Sequence, residues 1–372
     1  MKSRNYFSTI TLSLVTMLFC QTTEISAKYP VTLNNESQFK NRENQKNINI
    51  TVDPRIELLS VVQILSSYHA RWKLMTSYDL TYKQEAEEYF SQMKGHPVIA
   101  MFDSMSVEQF AFDAPPAFML HLDYPDLKIQ HELPPRILKK TQGYRTEFLV
   151  QLRDFVERSD FQFFFDKHRP EYEKMVERCN QFLTGIPIVQ TLEEYFGMQQ
   201  NSYNIILVPL MLGGGFGPRV KGTAGYDIYN LLGPNAESDG FPIFRKKQDF
   251  ESLCWHEFSH SFVNPTTDKF SDRVRSLSHL YDPISKDLKR WGYRSWKSAL
   301  NEHIVRAVEN RLYTRKYDTT AGEQVLNQEI EKGFRYINTL CKELEKYERS
   351  RDKYPTFLDF YPELLNALTN SE

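Results

Sequence analysis

The sequence predicts a mainly helical α+β fold. Three observations carry that expectation: helical apolar spacing through most of residues 50–200, two short β-favouring runs between residues 204 and 234, and helical patterns again towards the C-terminus. A chain of 372 residues, 41% hydrophobic and 14% aromatic, can bury a sizeable core, as one large or two smaller domains. The formal net charge of -2 and a pI near 6.5 leave no global basic field for a phosphate backbone, and no dense Lys/Arg stripe interleaves with aromatic residues. Nucleic acid is therefore not an expected partner.

At the N-terminus, Lys2 and Arg4 precede a mostly apolar run from Ile10 to Phe19, followed by the small residues Ser26 and Ala27. That layout predicts a secretory signal peptide over 1–27, cleaved after Ala27, and hence a periplasmic or secreted protein. The run is too short to span a bilayer, and no later segment reaches the roughly 20 apolar residues that spanning needs, so no transmembrane segment is expected. Cys20 keeps a lipid anchor open, although Phe19 stands where a lipoprotein signal carries a small residue. Cys179, Cys254 and Cys341 sit at wide, unrelated spacings, which reads as buried thiols rather than a disulfide framework or a cysteine metal cluster.

Residues 28–49 are rich in Asn, Lys and Gln with isolated hydrophobes and read as a disordered linker. Order is expected from "DPRIELLSVVQILSSY", where Asp53 can cap a helix whose first position is Pro54, with Ile56, Leu59 and Val62 at helical spacing. Helical patterns continue in "YKQEAEEYFSQMK", "YRTEFLVQLRDFVERS" and "PEYEKMVERCNQFLTG", making 50–200 a helical N-terminal region. The texture changes at "NSYNIILVPLMLGGGFGPR": Ile205 to Val208 form a β-favouring run that stops at Pro209 and a glycine cluster, Gly213 to Gly217. A second strand is predicted over "GYDIYNLLGP", and helices around 249–263, 295–314, 323–348 and 356–369. Residues 201–372 would then form a catalytic region, able to join the first in one compact unit.

Within that region, "CWHEFSHSF" places His256, Glu257 and His260 on one expected helix, capped by Asp249 and ended at Asn264-Pro265. A four-residue separation stacks the two imidazoles on one helical face, within reach of a single ion. Glu257 is rotated by about 100° from His256, poorly placed to ligate but able to overhang a zinc-bound water and take its proton as general base. A third ligand is needed for the usual catalytic zinc site, and "SFVNPT" after His260 contains no histidine. Glu302, in "ALNEHIVRAV", is the candidate: it follows Asn301 on an otherwise apolar helical stretch.

A His-Glu-x-x-His helix followed by an Asn-Glu on a later helix resembles the gluzincin metallopeptidases, over roughly residues 200 to 315. The whole chain is also similar to an uncharacterised family of exported bacterial zincin-like proteins, through "DPRIELLSVVQIL", the His256-to-His260 motif and "LNEHIVRAVENRL". The resemblance implies a zincin-like fold with a small sheet beside the zinc helix, Zn2+ on His256, His260 and Glu302, Glu257 as base, and a peptide or protein substrate. The interval from His260 to Glu302 is about twice that of the best-known gluzincins. Arg306 also stands where thermolysin-like enzymes carry an aspartate that orients the first histidine, with Glu309, one turn on, as the replacement candidate. Zincins commonly lay substrate along an exposed edge strand, for which Asn204, Ile206 and Val208 are the candidates. Arg306, Tyr313, His279, Tyr281 and Tyr293 are candidate donors to an oxyanion, and His303 reads as structural. Two other functions fit the same residues: a non-catalytic binding protein of this fold, and a zinc hydrolase of a non-peptide amide or ester.

Overall fold

The computed structural model describes residues 46–369 apart from residue 224. The expected signal peptide, Cys20 and most of the expected linker lie outside the described residues. Among the described residues 63% are helical, with a small sheet, an α+β arrangement. Among the described residues no helix is long and apolar enough to cross a membrane. Two compact units divide the chain, one of Lys46–Pro265 with Ser350–Asp359, the other of Thr266–Arg349 with Phe360–Glu372.

In the first unit, Pro54–Leu65 forms a helix whose Asp53 side chain accepts from the Arg55 N–H, with Pro54 in the first turn. This helix is buried on nearly every side: Leu58, Val61 and Val62 are fully covered, and so is Glu57, at 1% exposure. The sheet is built from β1 (Ile48–Thr51), β2 (Ser202–Leu207), β3 (Gly214–Phe216), β4 (Arg219–Lys221) and β5 (Tyr226–Gly233), in the order β1-β2-β5-β3, with β4 also on β5. β1 and β5 run parallel to β2, while β3 and β4 are antiparallel to β5. β6 (Ala236–Ser238) and β7 (Phe241–Ile243) form a separate hairpin.

Two expectations are corrected by this topology. Residues 48–49, read as the end of a linker, belong to β1, because pairing of Ile48 to Tyr203 and burial of Ile50 supply what local composition lacks. Asn204, Ile206 and Val208 do not line a sheet edge. β2 is paired on both sides, Asn204 with Asn49 and with Tyr229, and the Val208 N–H donates to the Leu232 carbonyl. An uninterrupted apolar run is what a strand enclosed in a parallel ladder requires. The edge falls to β3 and β4, separated by Gly217 and Pro218, within the stretch expected to be a glycine loop.

The helix Lys247–Lys269 packs on the face of β2 that carries Tyr203, whose ring meets Phe258 edge-on at 5.3 Å. Phe262 stacks on Phe196 at 4.4 Å and 8°. Phe250, Cys254, Phe258, Phe262 and Val263 are all buried, the apolar stripe expected from the sequence. The helix does not stop at Asn264 but continues through Pro265. Proline removes the N–H that would serve the Ser261 carbonyl, and the buried Gln200 side chain donates to that carbonyl instead, at 3.4 Å.

The second unit is built around the helix Trp296–Lys316, opened by a Ser295/Ser298 capping box. Its residues 299–305 are all buried, and it packs against the helices Thr319–Glu331 and Ile337–Arg349. The sequence reads 323–348 as continuous helical pattern, but Gly333 at φ +103° ends the first of these helices and divides the segment.

Candidate metal centre

His256 and His260 project from successive turns of Lys247–Lys269, with ring centroids 5.1 Å apart. His256 is buried and His260 half-buried. A ring nitrogen from each and a carboxylate oxygen of Glu302 lie within 4.8 Å of one another. Around a tetrahedral zinc at 2.0–2.2 Å, ligand atoms are about 3.3–3.6 Å apart, so these three fit the ion after a contraction on the order of 1 Å. The donor set of two imidazoles and one carboxylate is also the chemistry zinc takes when a fourth position is left for water or substrate. His260 Nδ1 is 3.3 Å from the Asn264 side-chain oxygen. With Nδ1 as donor there, the lone pair sits on Nε2, and the ring is held for ligation.

Glu302 is held on its own helix and by a neighbouring one. Arg306 Nε lies 2.7 Å from Glu302 Oε1, and Arg306 Nη1 donates to Glu329 Oε2 at 2.7 Å. Burial, and then the negative charge of Glu302, hold the Tyr293 phenol well above its ordinary range. Burial alone would lower the Arg306 pKa, but Glu302 and Glu329 outweigh it and keep the guanidinium charged. Arg306 thus orients the glutamate where the resemblance expects an aspartate on a histidine. Glu329 was not singled out in the sequence; it stands 27 positions after Glu302 on another helix, and no local pattern marks it.

Glu257 is half-buried and faces the sheet edge: a Cβ built on Gly215 of β3 would lie 3.7 Å from Glu257 Oε1. Arg245, between β7 and the helix Lys247–Lys269, is 8% exposed. Burial lowers its pKa, and among the charges that counter this Glu257 acts most strongly, ahead of Asp249. Sequence reasoning passed over Arg245, because nothing local distinguishes it from the basic residues that follow it.

The other candidates fall elsewhere. Tyr313 is eleven residues beyond Glu302 on the same helix, about 16 Å along the axis, and packs on Tyr317. That distance removes it as an oxyanion donor. His279 lies on the exposed face of the segment Ser278–Ile284, and Glu309 acts on the charge of Arg306 rather than joining the triad. The Tyr281 hydroxyl donates to the Tyr293 carbonyl at 2.7 Å. His303 is fully buried, bonded through Nδ1 to the Ala299 carbonyl and packed on Phe334 and Tyr336; burial pushes its pKa down to about 4. A neutral ring in that setting is structural. Cys179, Cys254 and Cys341 are free, buried thiols, with burial raising the pKa of each, the reverse of what a thiolate ligand needs.

No curated protein and no solved structure matches the chain. One family model, described as a domain of unknown function, DUF4932, matches residues 48–367, most of the chain's 372 residues. The chain belongs to that family.

Proposed function

We propose that the chain is an exported zinc-dependent peptidase. The observation that carries the proposal is the cluster of His256, His260 and Glu302 beside a carboxylate, Glu257, that follows the first histidine and faces an unpaired sheet edge. Zinc held by the three residues supplies Lewis-acid activation of a water molecule and of a substrate carbonyl. Glu257 takes a proton from the attacking water and delivers it to the leaving nitrogen. An extended peptide pairs with the main chain of Gly214–Phe216, where the two glycines present no side chain to obstruct it. Arg306 holds Glu302 in its ligating orientation. Export rests on Lys2, Arg4 and the run from Ile10 to Phe19, and a mature protein beginning at Lys28 is the expected product.

Cleavage of a broad peptide library by zinc-loaded protein, with a chelator control, tests the reading. Glu257→Gln keeps the shape of the side chain and removes the proton acceptor, so metal content should be retained while turnover falls by about 10²–10⁴-fold. If the zinc-loaded wild type cleaves no peptide, or the variant cleaves equally well, a binding protein or a hydrolase of non-peptide amides or esters takes precedence.

A further inference from the structure

β5 carries one polar side chain in the core of the sheet. Asn230 is 0% exposed, and neither its carboxamide nitrogen nor its oxygen has a hydrogen-bond partner among the described residues. An amide enclosed with both groups unpaired is rare in a folded protein, because each group was hydrogen-bonded to water before folding. Leu or Ile would fill the same space without that loss, and both flank the position on the same face, as Ile228 and Leu232.

What surrounds Asn230 gives the amide a direction. Gly215 pairs with Leu232, so the α-hydrogens of Gly215, the side chain of Leu232 and that of Asn230 share one face of the sheet. A Cβ placed on Gly215 would lie 3.1 Å from Asn230 Oδ1 and 3.7 Å from Glu257 Oε1. The carboxamide and the carboxylate therefore both border Gly215, one of the two glycines of β3, and their oxygens are at most about 7 Å apart from those two contacts and the triangle they form. Hydrogen bonds of catalytic groups are often long before the site is loaded and tighten in the working complex.

We propose that Asn230 is a positioning residue for Glu257, its Nδ2–H donating to the carboxylate and fixing the oxygen that accepts the proton. The proposal rests on the reading of Glu257 as the base. It explains why an unpaired amide persists in an apolar sheet face; at residue 215 a methyl group would crowd that amide at 3.1 Å and the Leu231 carbonyl at 3.2 Å.

Three measurements on the full chain test it. In a crystal structure of the zinc-loaded protein, Asn230 Nδ2 should lie about 2.7–3.2 Å from a Glu257 oxygen; a separation beyond hydrogen-bond range overturns the proposal. Asn230→Leu should leave the zinc content and the melting temperature of the metal-free protein at or above the wild-type values, since an apolar isostere replaces an unpaired amide. A fall of many degrees marks the amide as an ordinary structural group and overturns it, with Asn230→Ser as the second variant for the kinetic arm. In peptide cleavage, Asn230→Leu should lower kcat by about 10–100-fold with little change in KM, and should have no further effect in a Glu257→Gln background. An equal loss in both backgrounds shows a structural role and overturns the proposal. A wild type that cleaves nothing defeats the peptidase reading instead, and the contact is then decided by the crystal structure.

Discussion

Gln200 replaces the hydrogen bond that Pro265 takes from the helix Lys247–Lys269, so removing its amide should be felt well beyond its own position. Its Nε2 donates to the Ser261 carbonyl at 3.4 Å, its Oε1 accepts from the Tyr226 N–H at 3.2 Å, and the residue is 5% exposed. Gln200→Leu strands a carbonyl and an N–H. A buried unpaired group costs about 1–3 kcal/mol, and the length of the first contact puts that one near the lower bound, giving about 2–4 kcal/mol together. At about 2 °C per kcal/mol for a chain of this size, Tm should fall by about 4–8 °C in calorimetry. Pro265→Ala restores an N–H to Ser261, so in that background the cost should shrink to that of the Tyr226 bond alone. Additive losses in the double variant, or a Tm for Gln200→Leu within 1 °C of wild type, would refute the reasoning.

Further outcomes follow from buried charges. Burial raises the Glu57 carboxyl from 4.5 to about 8, against a lowering contribution from the Tyr82 hydroxyl that donates to it at 2.7 Å. Between those values the folded state holds a proton that the unfolded state has released. Stability is therefore full below about pH 4.5 and declines as pH rises to about 8, by roughly 5 kcal/mol. Glu57→Gln should flatten that slope in urea melts at pH 5, 7 and 9, and an unchanged slope contradicts the assignment. Arg306→Met leaves Glu329 and Glu302 without their guanidinium and should cost about 3–5 kcal/mol by denaturant unfolding. The same variant should raise the zinc dissociation constant about 10–100-fold in chelator competition, and an unaltered constant would show that Arg306 does not orient the ligand.

The parts of the fold legible in the sequence are those set by local pattern. Asp53-Pro54 marks a helix start that is the observed one, and the stripe from Phe250 to Val263 marks the face that packs on β2. Four-residue spacing alone suffices to put His256 and His260 on one face of a helix. Features that depend on a distant partner were not legible. Whether β2 is an edge depends on β1, a segment that looks like linker until it pairs. Whether Pro265 ends a helix depends on Gln200, 65 residues upstream. The support of Glu302 by Glu329, and the nearness of Gly215 to Glu257, likewise come from chain crossings that no periodicity encodes.

Metal analysis of the purified mature protein tests the central claim most directly, with wild type, His256→Ala, His260→Ala and Glu302→Gln compared at matched fold by circular dichroism. Wild type should hold about one zinc per chain, as three protein ligands bind one ion. Changing either histidine should release the metal and changing Glu302 should weaken its retention, whereas changes at His279, His303 and Glu309 should leave it bound. Zinc content unaltered by the histidine substitutions, or a wild type that takes up no zinc, would contradict it.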